Sequence, residues 1–200
     1  MARRHRERFV APPLPEAGPE ASRRQQAIGA AVIAVVALIL AAAVPWVGEE
    51  LAGRHLRAGD TLSVSGSIEL TVAEGWSLGD GGGFFTVLEN GDAQLVALPA
   101  VAVAEDGTAE EVMQRNVDAL SSDTTQEWEF SPLEVTTSDA GHEVRHVVAR
   151  SATDVQDLWA VSDGEGVASV IVTAPADGFD RVADSVAQMV LSVTFLGGAQ

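Results

Sequence analysis

Residues 143–173, EVRHVVARSATDVQDLWAVSDGEGVASVIVT, decide the fold of this chain. Three strand-like runs, Glu143 to Arg150, Gln156 to Ser162 and Val167 to Thr173, are separated by the turn residues Ala152-Thr153-Asp154 and Asp163-Gly164. Runs bounded by such clusters read as strands. Strands joined by tight turns run antiparallel, because a parallel neighbour needs a crossover of a dozen or more residues.

Working upstream, Leu133 to Thr137 is a further strand, turned into the next by Asp139-Ala140-Gly141. Ile68, Leu70 and Val72 alternate with Glu69 and Thr71, the period of a half-buried strand, and Gly75-Trp76 closes it. Phe84 to Leu88 and Gln94 to Leu98 flank Asn90-Gly91, a pair suited to the positive φ angles of a hairpin turn. Thr108 with Glu111 forms a capping box, and Ala109, Val112, Met113, Val117 and Leu120 recur at helical spacing, so residues 108–121 are expected to be an amphipathic helix. Downstream, a last helix beginning near Asp177 buries Phe179, Val182, Ala183, Val186, Met189 and Val190 before an extended end, Leu191 to Phe195. Each helix can bury its stripe only against a sheet face. The expected fold class is α+β, one antiparallel sheet flanked by two helices.

With this element order the chain resembles the PsbP-like superfamily, named for an extrinsic subunit of the plant oxygen-evolving photosystem. The resemblance spans about residues 61–196. It rests on the strand ending Ala73-Glu74-Gly75-Trp76 and on the terminal helix running into Leu191-Ser192-Val193-Thr194-Phe195. Where members frequently carry a proline before the Gly-Trp pair, this chain has alanine. The resemblance implies a three-layer α/β/α sandwich and a binding or assembly factor rather than an enzyme.

Charge divides the chain. Residues 1–26 carry six Arg and three acidic residues, whereas everything beyond residue 48 carries six Arg and 26 acidic residues, a formal −20. A surface that acidic repels phosphate backbones, so no nucleic acid partner is expected. All twelve basic residues are Arg, and Ala, Val and Gly are abundant, a usage that points to a GC-rich, actinobacterial source. With no Cys in the chain, disulfides, thiolate catalysis and Cys-based metal sites are excluded.

From Ala27 to Gly48 (AIGAAVIAVVALILAAAVPWVG) no residue is charged. At about 1.5 Å per residue this run covers the roughly 30 Å hydrocarbon core of a bilayer. Arg23 and Arg24 precede it and Glu49 and Glu50 follow it, which places the N-terminus in the cytoplasm. The competing reading is a signal peptide cleaved after Ala41-Ala42-Ala43; against it stand the 26-residue lead and a run longer than the usual h-region. The expected organisation is a disordered Arg/Pro-rich cytoplasmic tail over 1–26, a transmembrane helix over 27–48, a short tether over 49–60 and an extracytoplasmic domain over 61–196. The expected location is the cell membrane, spanned once by Ala27 to Val47. Nothing in the sequence sets an oligomeric state.

Candidate chemistries are sparse. His142 and His146 share a face of a strand but lie roughly 13 Å apart along it, too far to hold one metal ion. The better reading of both is exposed or half-exposed histidine among Glu143 and Arg145. No G-x-S-x-G elbow occurs. The Asp-Gly pairs at 106, 163 and 177 lack the spacing of a calcium loop, and Gly79 to Gly83 precedes a strand rather than a helix, which disfavours a phosphate loop. Trp76 and Trp159 are expected in the core. Trp128, in the polar stretch Thr125 to Glu129, is the one candidate for a partner contact. The expectation is a non-catalytic envelope protein that needs no cofactor and binds a protein or wall component in assembly, secretion or sensing; the alternative is an envelope enzyme or a small-ligand or ion-binding domain.

Overall fold

The computed structural model describes residues 56–81, 84–123 and 125–197, all within the compact unit Val47–Gln200. The tail, the expected membrane span and most of the tether lie outside the described residues. Among the described residues no helix is long and apolar enough to cross a membrane.

Among the described residues, twelve strands, two helices and a helical turn follow in the order β1 (Thr61–Val64), β2 (Ile68–Thr71), β3 (Ser77–Leu78), β4 (Thr86–Asn90), β5 (Ala93–Ala97), β6 (Val101–Ala102), α1 (Val103–Asp106, a single turn), α2 (Ala109–Ser121), β7 (Glu129–Phe130), β8 (Glu134–Thr137), β9 (Glu143–Arg150), β10 (Asp154–Ser162), β11 (Gly166–Pro175), α3 (Ala183–Leu191) and β12 (Thr194–Phe195). A 3-10 turn, Phe179–Arg181, precedes α3. The run that opened the reading forms the centre: β10 pairs with β9 and with β11 along nearly its whole length. Every pairing among the described residues is antiparallel.

The single sheet expected from the sequence is two. The larger has the order β3-β4-β5-β11-β10-β9-β7, with β6 beside β11 and β8 beside β9; the smaller is β1-β2-β12. In the smaller sheet β2 is the middle strand, with β1 on one side and the extended C-terminal end, β12, on the other. The alternation of Ile68, Leu70 and Val72 is as read, and all three are buried.

Side chains of β10 alternate between two cores. Val155, Trp159 and Val161 join β1, β2, Trp76 and the buried stripe of α3 (Val186, Met189, Val190) on one face. Leu158 and Ala160 meet Ala109, Val112, Met113 and Leu120 of α2 on the other. The molecule is thus layered as helix, sheet, then helix with small sheet. Each fully buried leucine, such as Leu88, Leu95 and Leu158, contributes roughly 1.5–3 kcal/mol of burial free energy.

The capping box on α2 is present, with the Thr108 side chain accepting from the Glu111 N–H and the Thr108 N–H donating to Glu111 Oε2 at 2.8 Å. These backbone and side-chain bonds from Thr108 hold the Glu111 carboxyl below its ordinary value of 4.5. A carboxylate with a depressed folded-state pKa contributes stability above its ordinary value and loses it as pH falls through the lowered one. Loss of the Thr108 side-chain cap on the Glu111 N–H is expected to make Thr108→Ala cost about 1 kcal/mol near neutrality. Its deficit should shrink in acid below pH 4.5, measured by urea unfolding at several pH values. A deficit that stays constant through the acid range would show that the cap is not coupled to Glu111.

The hairpin forms as expected, but its turn is displaced by one residue. Asn90 pairs with Ala93, so Gly91 and Asp92 make the loop. Gly91 has φ +59° and Asp92 lies outside the positive region, the pattern of a type II′ turn rather than type I′. The last helix also starts later than its sequence signal, because the chain near Asp177 first makes the 3-10 turn. Around Asp163 the side chain accepts from the N–H groups of Glu165 and Gly166, so this carboxylate is occupied by the turn itself.

Candidate functional site

The most distinctive chemistry lies across β8, β9 and β10. His146 on β9 faces Trp159 on β10 as its cross-strand partner, and the two rings stack at 3.7 Å with an interplanar angle of 15°. Asp157, two residues before Trp159, projects from the same face and is only 1% exposed. His146 Nε2 lies 2.5 Å from Asp157 Oδ1, so one proton is held between a ring nitrogen and a buried carboxyl oxygen. On the other side, Nδ1 lies 3.7 Å from Glu134 Oε2, contributed by β8 directly opposite His146. The Glu134 side chain is 74% exposed, whereas that of His146 is 18% exposed. The three groups therefore form a line from solvent to the interior.

His146 is half-exposed, as read, but its engagement by Asp157 goes beyond that reading. A buried carboxyl group is expensive unless paired and hydrogen-bonded, and His146 is that partner. Among the described residues no group of three or more ligating side chains is placed to hold a metal ion. His142 lies apart in role, with its ring packed edge-on against Phe195 at 5.1 Å. The two histidines do not converge.

Trp76 and Trp159 are buried, as expected. Trp128 is half-buried and packs against the α2 side of the sheet. Its indole nitrogen is enclosed without a hydrogen bond of standard geometry, although it lies near enough to Asp123 to add slightly to the effect of Thr125, whose hydroxyl and N–H hold that carboxyl below its ordinary range. Thr125 and its neighbours Gln126 and Glu127 are exposed, so Trp128 offers a partner only part of its ring.

Two surface features are further candidates. The first is β8 itself, which pairs only with β9 among the described residues and whose four residues are all exposed. Val135 is 58% exposed and the preceding Leu133 44%. The second is an open groove of about 420 Å³ bordered by Thr71, Glu74, Asp139, Gln188 and Ser192.

Known proteins add the following. No family model matches the chain, and no curated protein matches it. Among solved structures, cyanobacterial PsbP from Synechocystis sp. PCC 6803 is similar over 76% of this chain and 98% of its own, at 16% identity and a TM-score of 0.47. The Saccharomyces cerevisiae Ran-binding protein Mog1p is similar over 68% of this chain and 95% of its own, at 12% identity and a TM-score of 0.45. Likenesses this distant carry nothing about function. The observed layers, mostly antiparallel sheet with few helices, are consistent with the PsbP-like sandwich that the sequence resembles.

His146 and Asp157 had a signal in the sequence. Asp157 is an acid in the interior of a strand, among the apolar Val155, Leu158 and Trp159. Centring the hairpin on Ala152-Thr153 sets the register of its two strands, and that register puts His146 and Asp157 on one face.

Proposed function

We propose that the chain is a non-catalytic membrane protein of the cell envelope, anchored by a single span over Ala27 to Val47, whose outer domain binds a protein or wall component. The observation that supports binding is β8, an edge strand exposed along its whole length with Leu133 and Val135 presented to solvent. Exposed apolar residues on an unpaired edge are a liability in a protein with no partner for them. The arginines before the span and the acidic residues after it support the orientation with the N-terminus in the cytoplasm.

A second reading, small-ligand binding, is favoured by the groove bordered by Glu74, Asp139 and Gln188. It ranks below the first because the groove is open to solvent and its two carboxylates lie on exposed residues.

The topology is tested with single cysteines in a chain that has none of its own. Ser138, in the polar turn after β8, is buried and unsuitable, whereas Ala140 is exposed. A cysteine at Ala140 should react with an impermeant thiol reagent in intact cells, and one at Ala17 only after lysis; the reverse pattern would overturn the orientation. In the same cells, photoreactive residues at Glu74, Val135 and Gln188 should yield a discrete crosslinked adduct from at least one position. Adducts from none would end the binding reading.

A further inference from the structure

We propose that the free edge of β8 receives an extended, basic segment of a partner protein, which adds to the larger sheet as an antiparallel strand beyond β8. This rests on the binding reading above and names its mode and the chemistry of the partner.

Three observations carry it. The first is availability. Natural sheets protect their edges with very short strands, prolines, lysines, bulges or a covering element. The opposite edge of this sheet follows that rule, since β3 is only the two residues Ser77–Leu78. β8 is twice as long, contains no proline, and carries one charged residue, Glu134, in Glu134-Val135-Thr136-Thr137, while Pro132 stands outside the strand. Val and Thr favour extended backbone. The strand pairs with β9 along one side from Glu134 to Thr137, which among the described residues leaves the N–H and C=O groups of the other side for an incoming chain.

The second is side-chain texture. Val135 and Glu134 lie on opposite faces of the strand, so an added strand would meet an apolar residue on one face and a carboxylate on the other. A segment that alternates apolar and basic residues matches both. Its apolar side chains would pack on Val135, and its basic ones would reach Glu134.

The third is charge, which decides between a foreign segment and a second copy of this chain. Around β8 stand Glu129, Glu143 and Asp139, all exposed, and Glu110 of α2. The nearby cation Arg145 is already bridged to Glu110 at 3.2 Å and Glu143 at 2.7 Å. Two copies of the chain, each bearing a formal −20 beyond residue 48, would have to bring these acidic margins together to pair edge to edge. Like charges across an interface disfavour that contact, whereas a cationic segment is drawn to it.

The test uses the full chain in detergent and a blocked nonapeptide alternating arginine and valine. The peptide should bind, and binding should weaken as salt rises. An edge-added strand bonds through the N–H groups of alternate residues only, all of one residue type in this peptide. N-methylation of either all its valine or all its arginine nitrogens should therefore abolish binding, while the other methylated series retains it. Equal binding of both series, or equal loss, would overturn strand addition, because simple charge attraction does not distinguish them. Val135→Arg should reduce affinity by about tenfold or more, while Ser77→Arg on the opposite edge leaves it unchanged. Both positions are exposed, and unchanged melting of each variant confirms that the fold is intact. A dimer of the unliganded chain that Val135→Arg dissolves would assign the edge to a second copy and overturn the proposal. If the peptide fails while crosslinks in cells arise from Glu74 or Gln188, the edge is not the site but the binding reading survives.

Discussion

Replacing His146 by leucine is expected to destabilise the domain by about 3–5 kcal/mol, because it strands Asp157 in the interior. Asp157 is 1% exposed, and its Oδ1 meets His146 Nε2 at 2.5 Å. Without the imidazole, the carboxyl group must stay buried and uncompensated or take up a proton at a free-energy cost. At roughly 3 °C per kcal/mol for a domain of this size, the melting temperature should fall by on the order of 10 °C. The double variant His146→Leu with Asp157→Val should recover most of that loss, since apolar residues in place of a buried pair are often neutral or stabilising. Thermal melts of the single and double variants in the full chain decide the matter. A single variant within 1 kcal/mol of the parent, or a double variant no better than the single, would show that the pair is effectively solvated. Recovery of stability in the double variant would also free the pair for a functional test: adduct formation at Val135 lost in a stable double variant would tie the pair to the β8 surface beside it.

Trp76→Ala is the second substitution expected to have a large effect. The indole is 3% exposed and belongs to the core between the larger sheet, the smaller sheet and α3. Its Nε1 donates to Ser185 Oγ at 2.9 Å, and Ser185 Oγ in turn donates to the carbonyl of Val182 at 2.7 Å, just before α3. One side chain thus ties the turn after β2 to the start of the last helix. Truncation removes the buried ring and opens a cavity, for which losses of about 3–5 kcal/mol are usual. Trp76→Phe keeps most of the apolar volume and should cost distinctly less, since it forfeits mainly the hydrogen bond, worth about 1 kcal/mol. Urea unfolding followed by circular dichroism separates the two. Equal losses in both variants would mean that the hydrogen bond, not the ring volume, dominates, and a loss below 1 kcal/mol for alanine would show that this core is loosely packed.

The elements were legible wherever the pattern was local. The helix from Thr108 announced itself by a capping box and an apolar stripe, both of which act within a few turns of chain. The strands from Glu143 onward were bounded by turn residues and appear with nearly the expected limits. The hairpin was visible too, yet its turn moved from Asn90-Gly91 to Gly91-Asp92. Both loops are short and glycine fits either, so the pairing of Asn90 with Ala93 had to choose between them. Much less could be read where partners are distant in sequence. The short strands β3, β6 and β7 have only two residues each and carry no periodicity to detect. The third strand of the smaller sheet, β12, reaches β2 across more than a hundred residues.

Trp128 and His146 show the same boundary at the level of single residues. A polar neighbourhood at Thr125 to Glu129 placed Trp128 among solvated side chains, but its ring is half covered by the α2 side of the sheet. His146 sits between charged Glu143 and Arg145 in the chain and reads as surface. Its actual neighbours, Asp157, Trp159 and Glu134, come from two other strands.

By itself, then, the sequence determined what depends on composition and short-range order: the antiparallel strands with their turns, the two main helices, the uneven charge of the chain and the absence of any cysteine chemistry. Tertiary structure decided which faces are shared. In antiparallel pairing the register assigns every side chain to one face or the other, and a shift of one residue would exchange the two sets. That register alone brings an aspartate under a stacked histidine and leaves Val135 at an edge with nothing beyond it among the described residues, because both depend on which strand lies alongside and not on what either strand contains.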